Sequence, residues 1–301
     1  MISIIIITYN RSGLLMKTVK SILNQTYCDF ELILVDDGST DNTQEVINSL
    51  TDSRIKYYNY GKIGNLSKLR NLGIRQSEFE YIAFCDDDDL WNENKIELQM
   101  KHLGEFKMIC SNAEVIDVND KVIKERYFEL FENDFRISKE HLLKLGNSIL
   151  TSSLLLEKKI LYEKNLFFDE INVTNYCEDY ELFLRLSEYN DFLFMGNNLV
   201  GKRSHSSVSG GPENNLIMLR ASIGILKKYT GKGNRLDDIH ATEGILGFKQ
   251  LMVIISFKLN PLKGLTELSE YILYIIDPKV FNVFLKTKLL KKIRKLISRN
   301  P

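Results

Sequence analysis

The 301-residue sequence has no net charge, no closely spaced cysteine pair and no long apolar run. Lysine plus arginine and aspartate plus glutamate number 40 each, so the whole chain shows no sign of nucleic-acid binding. The four cysteines are far apart and form no C-x-x-C pair, which argues against a zinc site and fits a reducing cytoplasm.

Membrane-spanning and export signals are also missing. The longest apolar stretch, from Ile245 to Leu259, is interrupted by Lys249 and is too short for a spanning helix. The N-terminal residues Met1–Ile4 carry none of the basic residues that begin a signal peptide. We therefore expect a cytoplasmic protein that is not integral to a membrane.

The charges are unevenly distributed along the chain. Residues 211–301 contain 16 basic and 7 acidic residues, an excess of nine positive charges that the first 210 residues must balance. This asymmetry indicates metal or substrate chemistry in the first part and attraction to an anionic surface in the second.

The first hundred residues alternate between strand-like and helix-like patterns. Helical spacing of apolar residues separates four apolar runs, which we predict as strands over Ser3–Thr8, Phe30–Val35, Ile55–Tyr60 and Tyr81–Cys85. Such an alternation predicts an open, mainly parallel α/β sheet with helices on both faces. Ligands of these sheets bind beyond the carboxyl ends of the strands.

Further along, Lys107–Ser111 and Ser148–Leu156 are strand-like, and Glu178–Tyr189 has the pattern of a helix. A Ser/Gly-rich stretch at Ser204–Pro212 separates these elements from a basic, helical region. We expect a catalytic domain over 1–210, with halves at about 1–106 and 107–210, and a helical basic extension over 211–301.

Three acidic clusters occupy positions where this topology places a ligand. Asp36-Asp37 follows the second predicted strand, Asp86–Asp89 follows the fourth, and Glu178-Asp179 begins a later helix. An isolated aspartate pair is commonly a solvated turn, but four consecutive carboxylates repel one another, and a divalent cation is their natural compensation. Oxygen ligands of this kind favour Mg²⁺ or Mn²⁺.

Six segments resemble, in order and spacing, the motifs of family 2 glycosyltransferases with the GT-A fold. They are I-I-I-I-T-Y-N at 4–10, S-I-L-N-Q-T-Y at 21–27, F-E-L-I-L-V-D-D-G-S-T at 30–40, R-N-L-G at 70–73, Y-I-A-F-C-D-D-D-D-L-W at 81–91 and E-D-Y-E-L-F-L-R-L at 178–186. The resemblance covers roughly residues 1–210. It implies a GT-A sheet and an inverting transfer from a nucleotide-sugar.

The resemblance also implies the nucleotide-binding residues. Thr8, Tyr9 and Asp37 match positions that hold the base and ribose, and these side chains can stack and accept hydrogen bonds as that role requires. Arg70 matches a position near the diphosphate. The alternative for Tyr9 is packing at the strand end, and the alternative for Arg70 is a surface salt bridge.

At the metal site the family pattern is D-x-D-D. Asp88 matches the direct ligand, and Asp86 matches a residue that orients the ribose or a metal-bound water; Asp87 fills a slot that is usually small, which leaves the ligand set open. His205 matches a loop histidine that touches phosphate or metal, with an ordinary surface histidine as the alternative. Lys202 and Arg203 are further candidates for neutralising phosphate.

The Glu178-Asp179 pair resembles the catalytic pair of the family. An inverting transfer needs a base on the acceptor side, and Asp179 matches that base, while Glu178 matches a residue that positions the acceptor or the base. The alternative is acidic charge at a helix N-terminus, where the helix dipole favours it.

The last residues form a basic amphipathic pattern. Apolar residues recur at helical spacing from Leu285 to Ile297, among seven lysines and arginines between Lys286 and Arg299. Such a helix lies in a membrane interface and favours anionic lipid. The alternative is a helix docked on the protein's own catalytic domain.

Together these features predict a transferase that uses a divalent cation, Mn²⁺ or Mg²⁺, and moves a sugar from a nucleotide diphosphate, UDP by preference, to a glycan or lipid-linked glycan. We expect it to act on the inner face of the plasma membrane in bacterial-type cell-surface polysaccharide synthesis, without binding nucleic acid. One alternative is a sugar nucleotidyltransferase, although the turn at 8–13 has no Gly-rich phosphate loop. Another is a non-catalytic subunit that binds nucleotide-sugars.

Overall fold

The computed structural model describes residues 1–129, 131–171, 176–204, 211–231, 233–277, 280 and 283. The chain divides into two units. The sheet unit comprises Met1–Lys139 and Asn147–His205, and the helical unit comprises Glu140–Gly146 and Ser206–Pro301.

One mixed sheet organises the sheet unit. Within the described residues its strands are β1 Ile2–Thr8, β2 Phe30–Asp36, β3 Ile55–Asn59, β4 Tyr81–Asp86, β5 Leu90–Trp91, β6 Met108–Ile116, β7 Val122–Lys124, β8 Phe135–Ile137, β9 Leu155–Glu157 and β10 Phe192–Arg203. Their order is β3-β2-β1-β4-β9-β6-β10-β5, with β7 beside β6 and β8 beside β10. Strands β1 to β4 are parallel, as are β6 and β10, whereas β9 runs antiparallel to both β4 and β6.

Helices cover the sheet. They are α1 Ser12–Leu23, α2 Thr43–Asn48, α3 Leu66–Gln76, α4 Lys95–Met100, α6 Lys158–Glu163 and α7 Glu178–Leu186. The glycine of the R-N-L-G segment explains how closely α3 approaches: a Cβ on Gly73 would collide with the Ile5 side chain of β1. The core lies between these layers, because every residue of β2 and all but one of β1 are buried.

The expectation of an open, mainly parallel sheet flanked by helices, with further helices towards the C-terminus, is confirmed. One local prediction differs. The stretch Ser148–Leu156, predicted as a strand, contains a 3₁₀ turn at Thr151–Ser153 before the short β9. The serines and the threonine of this stretch are buried and make hydrogen bonds. A regular strand would instead direct successive side chains to opposite faces of the sheet.

The helical unit contains α8 Pro212–Lys227, α9 Arg235–Leu259 and α10 Pro261–Ile276, together with Glu140–Gly146, which includes all of α5 (Lys139–Leu145) except its first residue. Asn234 caps α9 by accepting hydrogen bonds from Leu236 N and Asp237 N, and Asn260 caps α10 by accepting one from Leu262 N. None of the helices in the described ranges is long and apolar enough to cross a membrane.

Candidate functional site

The acidic clusters meet at the carboxyl edge of the parallel strands. Thr8, at the end of β1, is in register with Asp36 of β2, and the preceding Ile7 is in register with Asp86 of β4. Because parallel strands end at the same edge, residues distant in sequence converge there.

Three of the four consecutive aspartates converge. One carboxylate oxygen each from Asp86, Asp88 and Asp89 lie within 4.8 Å of one another, a spacing that can hold a metal ion. Asp87 instead accepts a hydrogen bond from the Thr8 hydroxyl at 2.8 Å. Asp89 was missed as a candidate ligand, since a run of four aspartates does not reveal which of its carboxylates face one another.

Two cations contact this cluster. Arg11, also missed from the sequence, places Nη1 2.9 Å from an Asp87 oxygen and 2.7 Å from an Asp88 oxygen. The Lys202 ammonium lies 3.5 Å from Asp86 and 3.4 Å from Asp89. Lys202, a sequence candidate for neutralising phosphate, therefore lies at the acidic edge and pairs there with carboxylates.

Burial and neighbouring charges separate the proton affinities of these carboxylates. Burial acts to raise the pKa of Asp86, but the charges of Lys202 and Arg70 outweigh it and the pKa is lowered. Burial raises the pKa of Asp87 to about 6 and that of Asp89 to about 7, despite Arg11 and Lys202 respectively. Because burial disfavours the charged forms of Asp87 and Asp89, additional positive charge beside them would favour ionisation.

Arg203 has a different role from the predicted phosphate contact. Its side chain is fully buried and pairs with Asp120. Nε donates to the Asp88 carbonyl at 2.8 Å, and the backbone N–H donates to Asp89 at 3.0 Å. Arg203 therefore fixes the turn that carries the aspartates.

A second group of residues surrounds Asp37. Its buried carboxylate accepts hydrogen bonds from the backbone N–H groups of Ile63 at 2.6 Å and Gly64 at 2.9 Å and from Lys62 Nζ at 2.7 Å. Burial acts to raise the pKa of Asp37, but these hydrogen bonds lower it overall. Tyr9 is 41% exposed, and Lys62 Nζ lies 3.1 Å from the centre of its ring. Tyr9 and Asp37 thus share one polar neighbourhood, whereas Thr8 is buried and faces Asp87.

Arg70 connects the aspartates to the third acidic cluster. It is only 6% exposed, so the surface salt bridge considered for it is wrong. Nη1 lies 2.5 Å from the Glu178 carboxylate of α7, and Nη2 lies 3.5 Å from Asp86. One buried guanidinium from α3 therefore joins the carboxylates of Asp86 and Glu178, which are 92 positions apart in the sequence.

Asp179 lies beside this connection, partly exposed at the first turn of α7. Its carboxylate accepts hydrogen bonds from Asn147 Nδ2 at 3.1 Å and Thr151 Oγ1 at 3.0 Å. Burial, followed by the negative charge of Glu178, raises the pKa of Asp179 to about 6. A carboxylate with this pKa is a competent base near neutral pH.

Two candidates cannot be placed. His205 and the amphipathic segment 285–297 lie outside the described residues.

The structure defines an open α/β protein whose three acidic groups lie at the carboxyl edge of the strands, where such sheets bind their ligands. Comparison with known proteins identifies the family. Residues 3–166 match the model of glycosyl transferase family 2. The chain belongs to this family, as the motifs predicted.

A relative from Escherichia coli, UDP-Glc:alpha-D-GlcNAc-diphosphoundecaprenol beta-1,3-glucosyltransferase WfaP, is 33% identical over 186 residues, which are 62% of this chain and 70% of the relative. An uncharacterized glycosyltransferase of Rickettsia bellii is 43% identical over 113 residues, 37% of this chain but 16% of that protein. The chain spans less than a third of the length of that relative and of two further Rickettsia relatives.

Among solved structures, that of S. aureus TarS 1-349 in complex with UDP-GlcNAc superposes with a TM-score of 0.69 and 17% sequence identity, covering 94% of this chain and 83% of that one. At this identity the likeness establishes the fold.

Proposed function

We infer that this protein is an inverting glycosyltransferase that moves a sugar from a UDP-sugar to a hydroxyl of a glycan or lipid-linked oligosaccharide. The observation that carries this inference is the buried Arg70, which holds Asp86 of the strand-end cluster and Glu178 of α7. It brings a site suited to a nucleotide diphosphate next to a carboxylate, Asp179, suited to deprotonate an acceptor.

The nucleoside end of the donor lies, in this proposal, against Tyr9 and Asp37. The exposed Tyr9 ring offers a face for stacking, and the Asp37 carboxylate offers acceptors for a base N–H or a ribose hydroxyl. Lys62 now covers the Tyr9 ring and contacts Asp37. A stacked base requires Lys62 to leave that face, and its half-exposed side chain has room to do so.

The carboxylates at the strand end fit a divalent cation. Asp88 and Asp86, as proposed from the sequence, and Asp89, added by the structure, offer hard oxygen ligands at compatible spacing. His205 remains a further candidate metal ligand, because it matches the loop histidine of the family. When bound, Mn²⁺ or Mg²⁺ supplies positive charge that stabilises the departing diphosphate.

Asp179 acts as the base, and its neighbour Glu178, held by Arg70, positions the acceptor or the base. Asn147 and Thr151 hold the Asp179 carboxylate, and its raised pKa suits proton removal from a hydroxyl near neutral pH. A base opposite the leaving diphosphate produces inversion, so an α-linked UDP-sugar gives a β-linked product.

The relatives support the donor and acceptor classes. The name of WfaP specifies UDP-glucose and a lipid-diphosphate acceptor, and the TarS complex contains UDP-GlcNAc. We place the transfer in residues 1–210 and attraction to the anionic inner face of the plasma membrane in residues 211–301, where the positive excess lies. This arrangement serves synthesis of a cell-surface polysaccharide from lipid-linked intermediates.

The test is transfer from UDP-glucose or UDP-GlcNAc, with Mn²⁺, to a synthetic GlcNAc-diphospho-lipid with a short chain. We expect a disaccharide product whose new linkage is β by NMR. In a parallel reaction with added pyrophosphate, conversion of the UDP-sugar to UTP and the sugar 1-phosphate would indicate a nucleotidyltransferase. Thermal stabilisation by UDP-sugars without transfer or hydrolysis, across a panel of donors and acceptors, would indicate a binding subunit.

A further inference from the structure

We propose that Arg11 is a built-in counter-cation that competes with the divalent cation for Asp88, and so couples metal binding to nucleotide binding. This rests on the proposed function, because it concerns the same aspartates. Arg11 lies immediately before α1, directly after the bend at Tyr9 and Asn10 that follows β1.

The contacts of Arg11 and the metal-ligand set overlap at one residue. Nη1 of Arg11 lies 2.7 Å from Asp88 Oδ2, and Asp88 is a member of the three-carboxylate group. The same nitrogen lies 2.9 Å from Asp87 Oδ1. Two positive charges at contact distance from one carboxylate repel each other. A cation on Asp88 therefore weakens the ion pair between Arg11 and Asp88.

Arg11 is also the cation best placed to move. Its side chain is 33% exposed, compared with 21% for Lys202, 8% for Arg70 and 0% for Arg203. Arg203 is fixed by backbone contacts to the aspartate turn, and Arg70 is fixed between two acidic clusters. Among the described cations that contact the four aspartates, Arg11 therefore has the most solvent-accessible route away from them.

The charge balance explains the coupling. Without substrate, Arg11 compensates Asp87 and Asp88, which are both nearly buried. When a divalent cation occupies the cluster, the carboxylates no longer need the guanidinium, and the diphosphate of a donor offers it a new anionic partner. Binding of UDP should then strengthen Mn²⁺ binding, and this effect is reciprocal.

The experiment measures Mn²⁺ affinity of the full chain by electron paramagnetic resonance, with and without UDP. We compare wild type with Arg11→Gln and with Lys20→Gln, which removes the same charge from an exposed position in the last turn of α1. A nearby opposite charge changes the proton affinity of a carboxylate by about 10- to 1000-fold, so Arg11→Gln should bind Mn²⁺ at least about tenfold more tightly without UDP. UDP should then improve Mn²⁺ binding less than in wild type. Lys20→Gln should match wild type in both measurements.

Asp88→Ala separates failure of this proposal from failure of the proposed metal site. If Asp88→Ala abolishes Mn²⁺ binding but Arg11→Gln binds Mn²⁺ as wild type does, the competition is refuted and the metal site stands. If Asp88→Ala leaves Mn²⁺ binding unchanged, the metal site itself is wrong. Thermal unfolding checks that each variant is folded. Arg11→Met, which keeps the apolar stem and removes the charge, repeats the test if the glutamine variant unfolds.

Discussion

Replacing Asp179 with asparagine should inactivate the enzyme and stabilise its fold at the same time. The base needs its charged form, and asparagine keeps the shape and an oxygen for the Thr151 hydroxyl but cannot take a proton. We expect turnover to fall by about 10²–10⁴-fold, the usual contribution of a positioned base, with UDP binding nearly unchanged.

The gain in stability follows from the pKa of Asp179. The folded protein raises that pKa from 3.8 to about 6. Between these values the folded state binds more protons than the unfolded state, so the free energy of unfolding decreases as the pH rises and the cost is complete above about pH 6. A hundredfold change in proton affinity is worth about 3 kcal/mol, and partial exposure of Asp179 reduces this to about 1–2 kcal/mol.

Two assays test this reasoning. Urea unfolding should show Asp179→Asn more stable than wild type at pH 7.5 and similar to it near pH 4. Wild-type transfer should rise with pH to a plateau above about pH 6, where the carboxylate is ionised. Asp29→Asn, the same chemical change at an exposed position before β2, should alter neither property. Near-normal turnover of Asp179→Asn, or a product with retained configuration, would show that Asp179 is not the base.

Three further predictions concern other parts of the chain. Asp88→Ala should abolish metal-dependent UDP binding, measured by calorimetry; equal affinity with and without chelator in wild type and variant would contradict the metal assignment. Deleting residues 285–301 should release the protein from anionic liposomes while transfer to a soluble acceptor survives, and a deletion that unfolds the protein would instead make this segment part of the fold. Lys95, whose ammonium is buried against Trp91 and Gln99, has its pKa lowered to about 7 by burial, so stability should rise from about pH 7 to 10. Lys95→Met should remove that rise and stabilise the fold by about 1–3 kcal/mol at pH 6, which urea titrations at pH 6 and 9 would check.

The layout of the sheet was readable from local patterns. Apolar runs such as Ser3–Thr8 and Phe30–Val35, separated by helical periodicity, predicted the parallel strands that the structure contains. Because parallel strands share a carboxyl edge, the same pattern also brought Asp37 and Asp86–Asp89 to one side of the molecule. These features depend on residue spacing within one element, which a single sequence displays directly.

The pairing of individual side chains depended instead on how the elements pack. Whether Arg70 lay in a surface salt bridge or between Asp86 and Glu178 was decided by the approach of α3 to the sheet and by the position of α7. The placement of Asp89 beside Asp86 and Asp88, and of Arg11 upon Asp88, likewise required a turn fixed by Arg203 from a strand more than a hundred residues away. Such contacts join residues far apart in sequence, and their distances follow from three-dimensional packing, for which periodicity and composition carry no signal.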